Sequence, residues 1–554
     1  MTQDSAQHQA LDRLAQGLIH DYWDFYPTAG SRIGRHEYDG RLPDLSSGKI
    51  AGRVKAVGDG LGRLSAIPAE GLGREARLSH CVLEMFLKRE LFTLTELRSL
   101  ENNPMRQVGY LNVGSYLRRD YAPLADRVRS ATQALGQVPD LIADLGSALG
   151  GEIGSPVLEM SIESYAGMAK FYRNDLVQAV AGFDDPVILA GFDAARSAAA
   201  LAVDRFVEKL ETLRQTASTQ FAIGSRLYAS MMAEGEGVSI SLAELEKVGQ
   251  DNLEANLARL AEVAGGIAPG RDIDEIVEDI SRNHPAADAL IPDTREMLEG
   301  LRQAMIGLDL LSVPSEDRCQ VTETPTYMRY AFAAMDSAGA MEERATESFY
   351  YVTPVEPDWS PVQQEEWLAN FNYDTLRIIS IHEVYPGHFT HHLHNRYGRP
   401  LPLVNRVATS YAFTEGWAHY TEEMVLAEGY GQGQLNLQLT QLLEALVRNC
   451  RYVCSIRMHT QGMTVDQATR FFMENAFMGE HPARREALRG TFDPGYLNYT
   501  LGKLMIIKLA ADLRREKGAA FSLKGFHDEL LSYGAPPLPL LREAMLEDPG
   551  GSPL

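Results

Sequence analysis

Cysteine is scarce. Cys81, Cys319, Cys450 and Cys454 are all that 554 residues contain, too few for a disulfide framework in so long a chain. Cys450 and Cys454 lie four apart in a helical pattern, a spacing that suits a metal pair or two small buried side chains. No further Cys or His is spaced to complete a site there, which favours burial. Positive charge is also short. With 52 Lys and Arg against 75 Asp and Glu, the formal charge is -23, and no dense basic stripe offers the footprint that nucleic acid or an anionic membrane needs. Neither is expected as a partner. Long apolar runs are missing as well, since none approaches the ~20 residues that span a bilayer. The first eleven residues are polar and lack the basic start and apolar core of a secretory signal. A cytoplasmic, reduced protein is expected.

What is present is an ordinary globular composition, 45% hydrophobic and 23% charged, with ample chain for a large core. Helical periodicity dominates. Leu242, Leu245 and Val248, then Leu253, Leu257, Leu260 and Val263, recur at spacings of three and four with charged residues between them, as in an amphipathic helix. Similar patterns occupy 8–24, 73–97, 124–149, 194–216, 286–310, 405–428, 432–460 and 496–515. Residues 98–118 and 150–160 are rich in Gly, Pro and Asn and read as loops. From Val313 to about Pro361 the pattern changes to β-branched and aromatic runs, Gln320–Tyr330 and Phe349–Thr353, which predicts two or three strands. Pro325 cannot donate to a ladder, so its strand belongs at an edge or a bulge. The fold class is therefore mainly α, with a small β-sheet. A helical N-terminal region, 1–235, and a C-terminal region, 236–554, make a plausible division, although no linker marks the join.

Of 14 histidines, six crowd into one window: His382, His388, His391, His392, His394 and His419. His382-Glu383-Val384-Tyr385-Pro386-Gly387-His388 closes an apolar helical segment. A His-Glu pair followed by a second His suggests a zinc-peptidase helix, in which two imidazoles bind zinc and the Glu between them handles a water proton. Ligands four apart share a helix face, but these two are six apart, about a third of a turn off it. Pro386-Gly387 provides the means to distort the helix, and a two-residue bulge would bring His388 beside His382. Zinc needs another ligand. Glu415, His419 and Glu422, four and seven apart on a second helix, share one face, with Trp417, Tyr420 and Met424 forming the apolar face beside it.

His-Glu-x-x-Pro-Gly-His followed by Glu415-Gly416-Trp417-Ala418-x-Tyr420-x-Glu422 resembles the bacterial "domain of unknown function 885" family, which itself looks like thermolysin-related zinc metallopeptidases with a glutamate ligand. Tyr26-Pro27, Gly34 through Gly40, Glu486-x-x-Arg489, Pro494-Gly495 and Tyr499-x-x-Gly502 extend the resemblance over nearly the whole chain. The resemblance implies a large helical metallopeptidase-like fold whose small sheet lies next to the active-site cleft. It implies His382, His388 and Glu415 as ligands of one zinc, and Glu383 as general base. Phe389-Thr390-His391 and His419 depart from the family's usual residues and bear on the lining of the site, and so on the substrate.

Two imidazoles and a carboxylate leave zinc an open position for water, whose pKa the metal lowers. Glu383 would take the proton and pass it to the leaving amine. Glu422 or His419 suits the orientation of a ligand imidazole, though a solvated Glu has the same pattern. A tetrahedral oxyanion needs a further donor; Tyr499 is the best placed, and Tyr496 competes with it. Arg489 would either grip a substrate carboxylate or pair with Glu486. His391, His392 and His394 read as a polar continuation of the helix, and a strand near Val321–Tyr330 offers an edge for extended peptide. The expected activity is zinc-dependent hydrolysis of peptide bonds in short peptides. A zinc hydrolase of a non-peptide amide or ester, or a non-catalytic binding protein that kept the fold, is the alternative, and manganese or cobalt competes with zinc.

Overall fold

The computed structural model describes residues 3–150, 152–324 and 333–554. The chain forms two compact units. One comprises Met1–Leu227, Ala338–Glu347 and Pro402–Val407, and the other Tyr228–Ser337, Ser348–Leu401 and Ala408–Leu554.

The first unit is helical. Its helix Pro186–Arg214 packs on Leu124–Ala148 and Ser155–Arg173. Val128, Ala131, Leu135, Val138, Ile142 and Leu145 are buried, so the three-and-four spacing read from the sequence is the face that meets the core. Tyr165 and Phe206 meet edge-on with ring centroids 4.8 Å apart. By length and composition Pro186–Arg214 has the apolar character to cross a membrane; here Ala199, Val203, Phe206 and Leu210 are buried in the unit. The helix Ser155–Arg173 starts inside the stretch expected as a loop, because Pro156 sits in its first turn, where a missing N–H is no loss. Residues 98–118 likewise hold short helical pieces, Ser99–Asn102, Pro104–Leu111 and Gly114–Arg118. The Gly34–Gly40 motif has a structural task. His36 is hydrogen-bonded through Nδ1 to Asp39 at 3.0 Å and through Nε2 to Glu342 at 2.7 Å, and stacks on Tyr121 at 3.7 Å, which ties the returning segment Ala338–Glu347 to the unit.

The second unit is mainly helical too and holds a three-stranded sheet. Strands β1 (Gln320–Glu323), β2 (Ala333–Asp336) and β3 (Phe349–Val352) lie in the order β1-β3-β2. β1 is parallel to β3, with Val321 opposite Tyr350, and β2 is antiparallel, with Met335 also opposite Tyr350. Central β3 buries Tyr350, Tyr351 and Val352, which explains its unbroken apolar run. The expected strand through Tyr330 is strand as far as Glu323; Pro325 and the rest of its run lie outside the described residues. Six helices build the region of interest: α1 (Tyr373–Glu383), α2 (His388–Tyr397), α3 (Tyr411–Ala427), α4 (Leu435–Thr460), α5 (Glu480–Phe492) and α6 (Asn498–Lys517). The helix Leu242–Ile267, opened by a capping box at Ser241 and Glu244, packs along α4, and α3 packs along α6.

Candidate metal centre

The Asn372 side chain caps α1 by accepting the Thr375 N–H at 3.0 Å, and buried Leu376, Ile378 and Ile381 hold the helix in the core. The chain does not bulge inside one continuous helix after His382, as expected. Instead α1 ends at Glu383, the segment Val384–Gly387 turns, with a cis Tyr385–Pro386 peptide, and α2 restarts at His388. Gly387 is required by this turn, because a Cβ there would sit 1.7 Å from the His382 carbonyl oxygen. The outcome is convergence: the His382 and His388 rings stand 4.9 Å apart, nearly perpendicular.

Helix α3 brings the third group. Ser410 caps it by accepting from Phe413 N, and buried Glu236 accepts from Ser410 Oγ and from the Tyr411 and Ala412 amides. Glu415 Oε2 then lies 3.5 Å from His382 Nε2 and 3.5 Å from His388 Nε2. One ligand atom from each of the three residues lies within 4.8 Å of the others, the one such group among the described residues. Zinc bonds of ~2.0–2.1 Å in a tetrahedron place neighbouring ligand atoms about 3.3 Å apart, so the donor set fits that ion with small adjustments. The charges agree. Burial opposes ionisation of His382, yet its bonds to Glu415 and Glu422 raise it to about 9. Glu415 is held well below the carboxylate range despite burial, chiefly by His388 and His382. A proton on His382 thus occupies a place that a cation suits.

Glu422 is fully buried. Its Oε1 accepts from His382 Nδ1 at 2.7 Å, its Oε2 from His419 Nδ1 at 3.2 Å, and Arg448 of α4 lies 3.4 Å away. Arg448 first, then the two histidines, keep it ionised against burial. The bond to Nδ1 fixes the His382 tautomer and aims Nε2 at Glu415, an arrangement typical of metal-bound imidazoles. His419, completely buried, is pushed down to about 3, so it is a neutral partner of Glu422. Sequence reasoning missed Arg448, because one Arg in a long amphipathic helix reads as solvated.

Glu383 is half-buried and accepts the Met335 N–H of β2 at 3.1 Å, which places that strand beside it. The Tyr499 ring lies 6.4 Å from the His382 ring, half-buried, with Arg451 5.0 Å and Arg489 5.6 Å from its centre. Tyr496, in contrast, is entirely buried, and its hydroxyl meets Met458 Sδ at 3.8 Å. Glu486 does not pair with Arg489; both its oxygens are taken by Arg451, at 2.7 and 2.8 Å. Arg489 instead bonds Asp493, the Tyr411 hydroxyl at 3.0 Å and the Tyr499 hydroxyl at 3.4 Å. His391 and His394 are buried and donate to the Gly534 and Ser312 carbonyls. Cys450 and Cys454 are buried free thiols, pushed up by burial.

A mainly helical protein with a small three-stranded sheet and a converging His-His-Glu cluster is the class these observations define. Within it, the chain belongs to the family described as "Bacterial protein of unknown function (DUF885)", whose pattern it matches over residues 27–545. No curated protein matches it. Two solved structures share the fold. A "putative lipoprotein of unknown function" from Shewanella oneidensis is 23% identical, with a TM-score of 0.80 over 97% of this chain and 100% of that one. A "putative lipoprotein" from Colwellia psychrerythraea is 16% identical, with a TM-score of 0.80 over 97% of this chain and 98% of that one. These descriptions overturn the cytoplasmic location expected from the polar N-terminus and the few cysteines. That expectation read one short segment and an absence; neither reports on the compartment of proteins with this fold.

Proposed function

We propose that the protein is a zinc-dependent peptidase that hydrolyses peptide bonds in short peptides. The observation that carries this reading is the convergence of His382, His388 and Glu415, with ligand atoms 3.5 Å apart, directly beside Glu383. His382 and His388 through Nε2, and Glu415 through Oε2, would hold the ion. Bound zinc supplies a Lewis acid and lowers the pKa of water toward neutrality.

Glu383 serves as the general base. Its Oε2 is steadied by the Met335 amide, which leaves Oε1 to accept a proton from water and return it to the leaving amine. The Tyr499 hydroxyl donates to the oxyanion that develops on the substrate carbonyl; burial first, and Glu415 second, raise its pKa, so it keeps the proton it donates with. Glu422 orients His382, and Arg448 balances the charge of Glu422.

The test is Glu383→Gln, assayed on a library of short peptides and for bound metal. Retained metal with hydrolysis reduced at least a hundredfold is expected, the range for loss of a positioned base. Hydrolysis unchanged in that variant would sink the mechanism.

A further inference from the structure

Three arginines stand near the centre, Arg451 and Arg489 against the Tyr499 ring and Arg448 against Glu422, and two of them are closed. Arg451 is locked by both oxygens of Glu486, and Arg448 is held between Glu444 and Glu422. Arg489 differs. Its side chain is 30% exposed, and its single carboxylate partner, Asp493, is engaged from Nε and Nη2 at 3.3–3.4 Å. Nη2 also bonds the Tyr411 and Tyr499 hydroxyls. Nη1 has no hydrogen-bond partner among the described residues, which leaves its N–H groups to donate to a ligand. A half-buried guanidinium engaged by one carboxylate on one edge is suited to grip a second carboxylate on the other.

Its position matters as much as its charge. The guanidinium lies 5.6 Å from the Tyr499 ring, and that ring lies 6.4 Å from His382. A group bound at Nη1 is then within roughly four extended residues of the ligand cluster, at ~3.3 Å per residue. We propose that Arg489 binds the free α-carboxylate of the substrate, which makes the protein a carboxypeptidase-type enzyme that releases fragments of about one to four residues from the carboxyl end. This rests on the peptidase reading above and narrows its substrate class to peptides with an unblocked carboxyl terminus.

The experiment uses the zinc-loaded full chain and one random hexapeptide library made in two forms, free acid and carboxyl-terminal amide. Wild type is expected to favour the free acids about tenfold or more in kcat/KM, the value of one charge-assisted bond, with cut sites about one to four residues from the carboxyl end. In Arg489→Met that ratio should fall toward one, mainly through KM, and Arg489→Lys should recover part of it. Thermal melting of both variants checks folding, and Arg489→Lys, which keeps the charge, remains informative if the Met variant fails to fold. A wild type that cleaves acids and amides equally overturns the anchor and leaves the peptidase reading standing. A ratio unchanged in both variants, with kcat alone reduced, also overturns it, and makes Arg489 a positioning residue for Tyr499. Cleavage of neither library overturns the peptidase reading and the anchor together.

Discussion

At the scale of single residues, Glu422 is the most constrained group in the centre: fully buried, ionised, and shared among His382, His419 and Arg448. Burying a carboxylate costs several kcal/mol unless it is paired, and here the pairing orients a proposed ligand. Glu422→Gln keeps the shape and removes the charge. Metal affinity in competition with a chromophoric chelator is expected to fall tenfold to a hundredfold, and an unchanged affinity would remove Glu422 from the support of the site. Acid sensitivity has residue-scale causes as well. His459 and His527 are buried, and burial pushes each down to about 4 despite bonds to the Gly490 and Leu310 carbonyls. In the unfolded chain they titrate near 6.5, so between those values the unfolded state binds more protons and stability falls as pH drops. Each accounts for about 3 kcal/mol over the full window. Denaturant unfolding at pH 7, 5 and 4 should show that loss, with a shallower slope in His527→Gln. His36 carries the opposite sign: burial is outweighed by its bonds to Asp39 and Glu342, its pKa is raised, and its contribution fades as pH rises through that value.

At the scale of elements, the site depends on how closely α3 and α6 approach. A Cβ on Gly502 would sit 1.7 Å from the Ala412 carbonyl oxygen, and one on Gly416 would sit 2.4 Å from the Gly502 Cα. The two helices therefore touch backbone to backbone, with Glu415 beside one glycine and Tyr499 one turn before the other. Gly502→Ala is expected to cost 1–3 kcal/mol or more by overpacking and to lower hydrolysis beyond what melting alone explains, since it parts Tyr499 from the cluster. Differential scanning calorimetry with a peptide assay checks both. The motif Tyr499-x-x-Gly502 was legible as a pattern, but its reason was not, because a helix crossing is a contact between segments some 90 residues apart. Glu236 was illegible for the same cause: nothing near it in sequence shows that it caps α3. The six-residue His spacing was legible as a need for distortion, whereas the helix break itself depends on Gly387 fitting against His382. His391 and His394 looked solvated because their acceptors lie in loops far along the chain.

At the scale of the molecule, the periodic signals were the most readable. Helices expected at 73–97, 124–149, 286–310 and 432–460 correspond to Arg74–Thr95, Leu124–Ala148, Leu290–Leu308 and Leu435–Thr460, since burial of one face writes a period into the sequence. The return of Ala338–Glu347 to the first unit leaves no such period. A metal held by α1, α2 and α3 ties three elements of the second unit together, and a ligand that binds only the folded state stabilises it, by about 2.7 kcal/mol at a hundredfold excess over Kd. Zinc should raise the melting temperature and a chelator lower it, with neither effect in His382→Ala/His388→Ala.

The most direct measurement is metal content by elemental mass spectrometry on the purified chain and on that double variant, each incubated with zinc and desalted. About one zinc per chain, lost in the variant, is the expected result. No metal in either would mean that His382, His388 and Glu415 do not form a site, and zinc-dependent hydrolysis would fall with them.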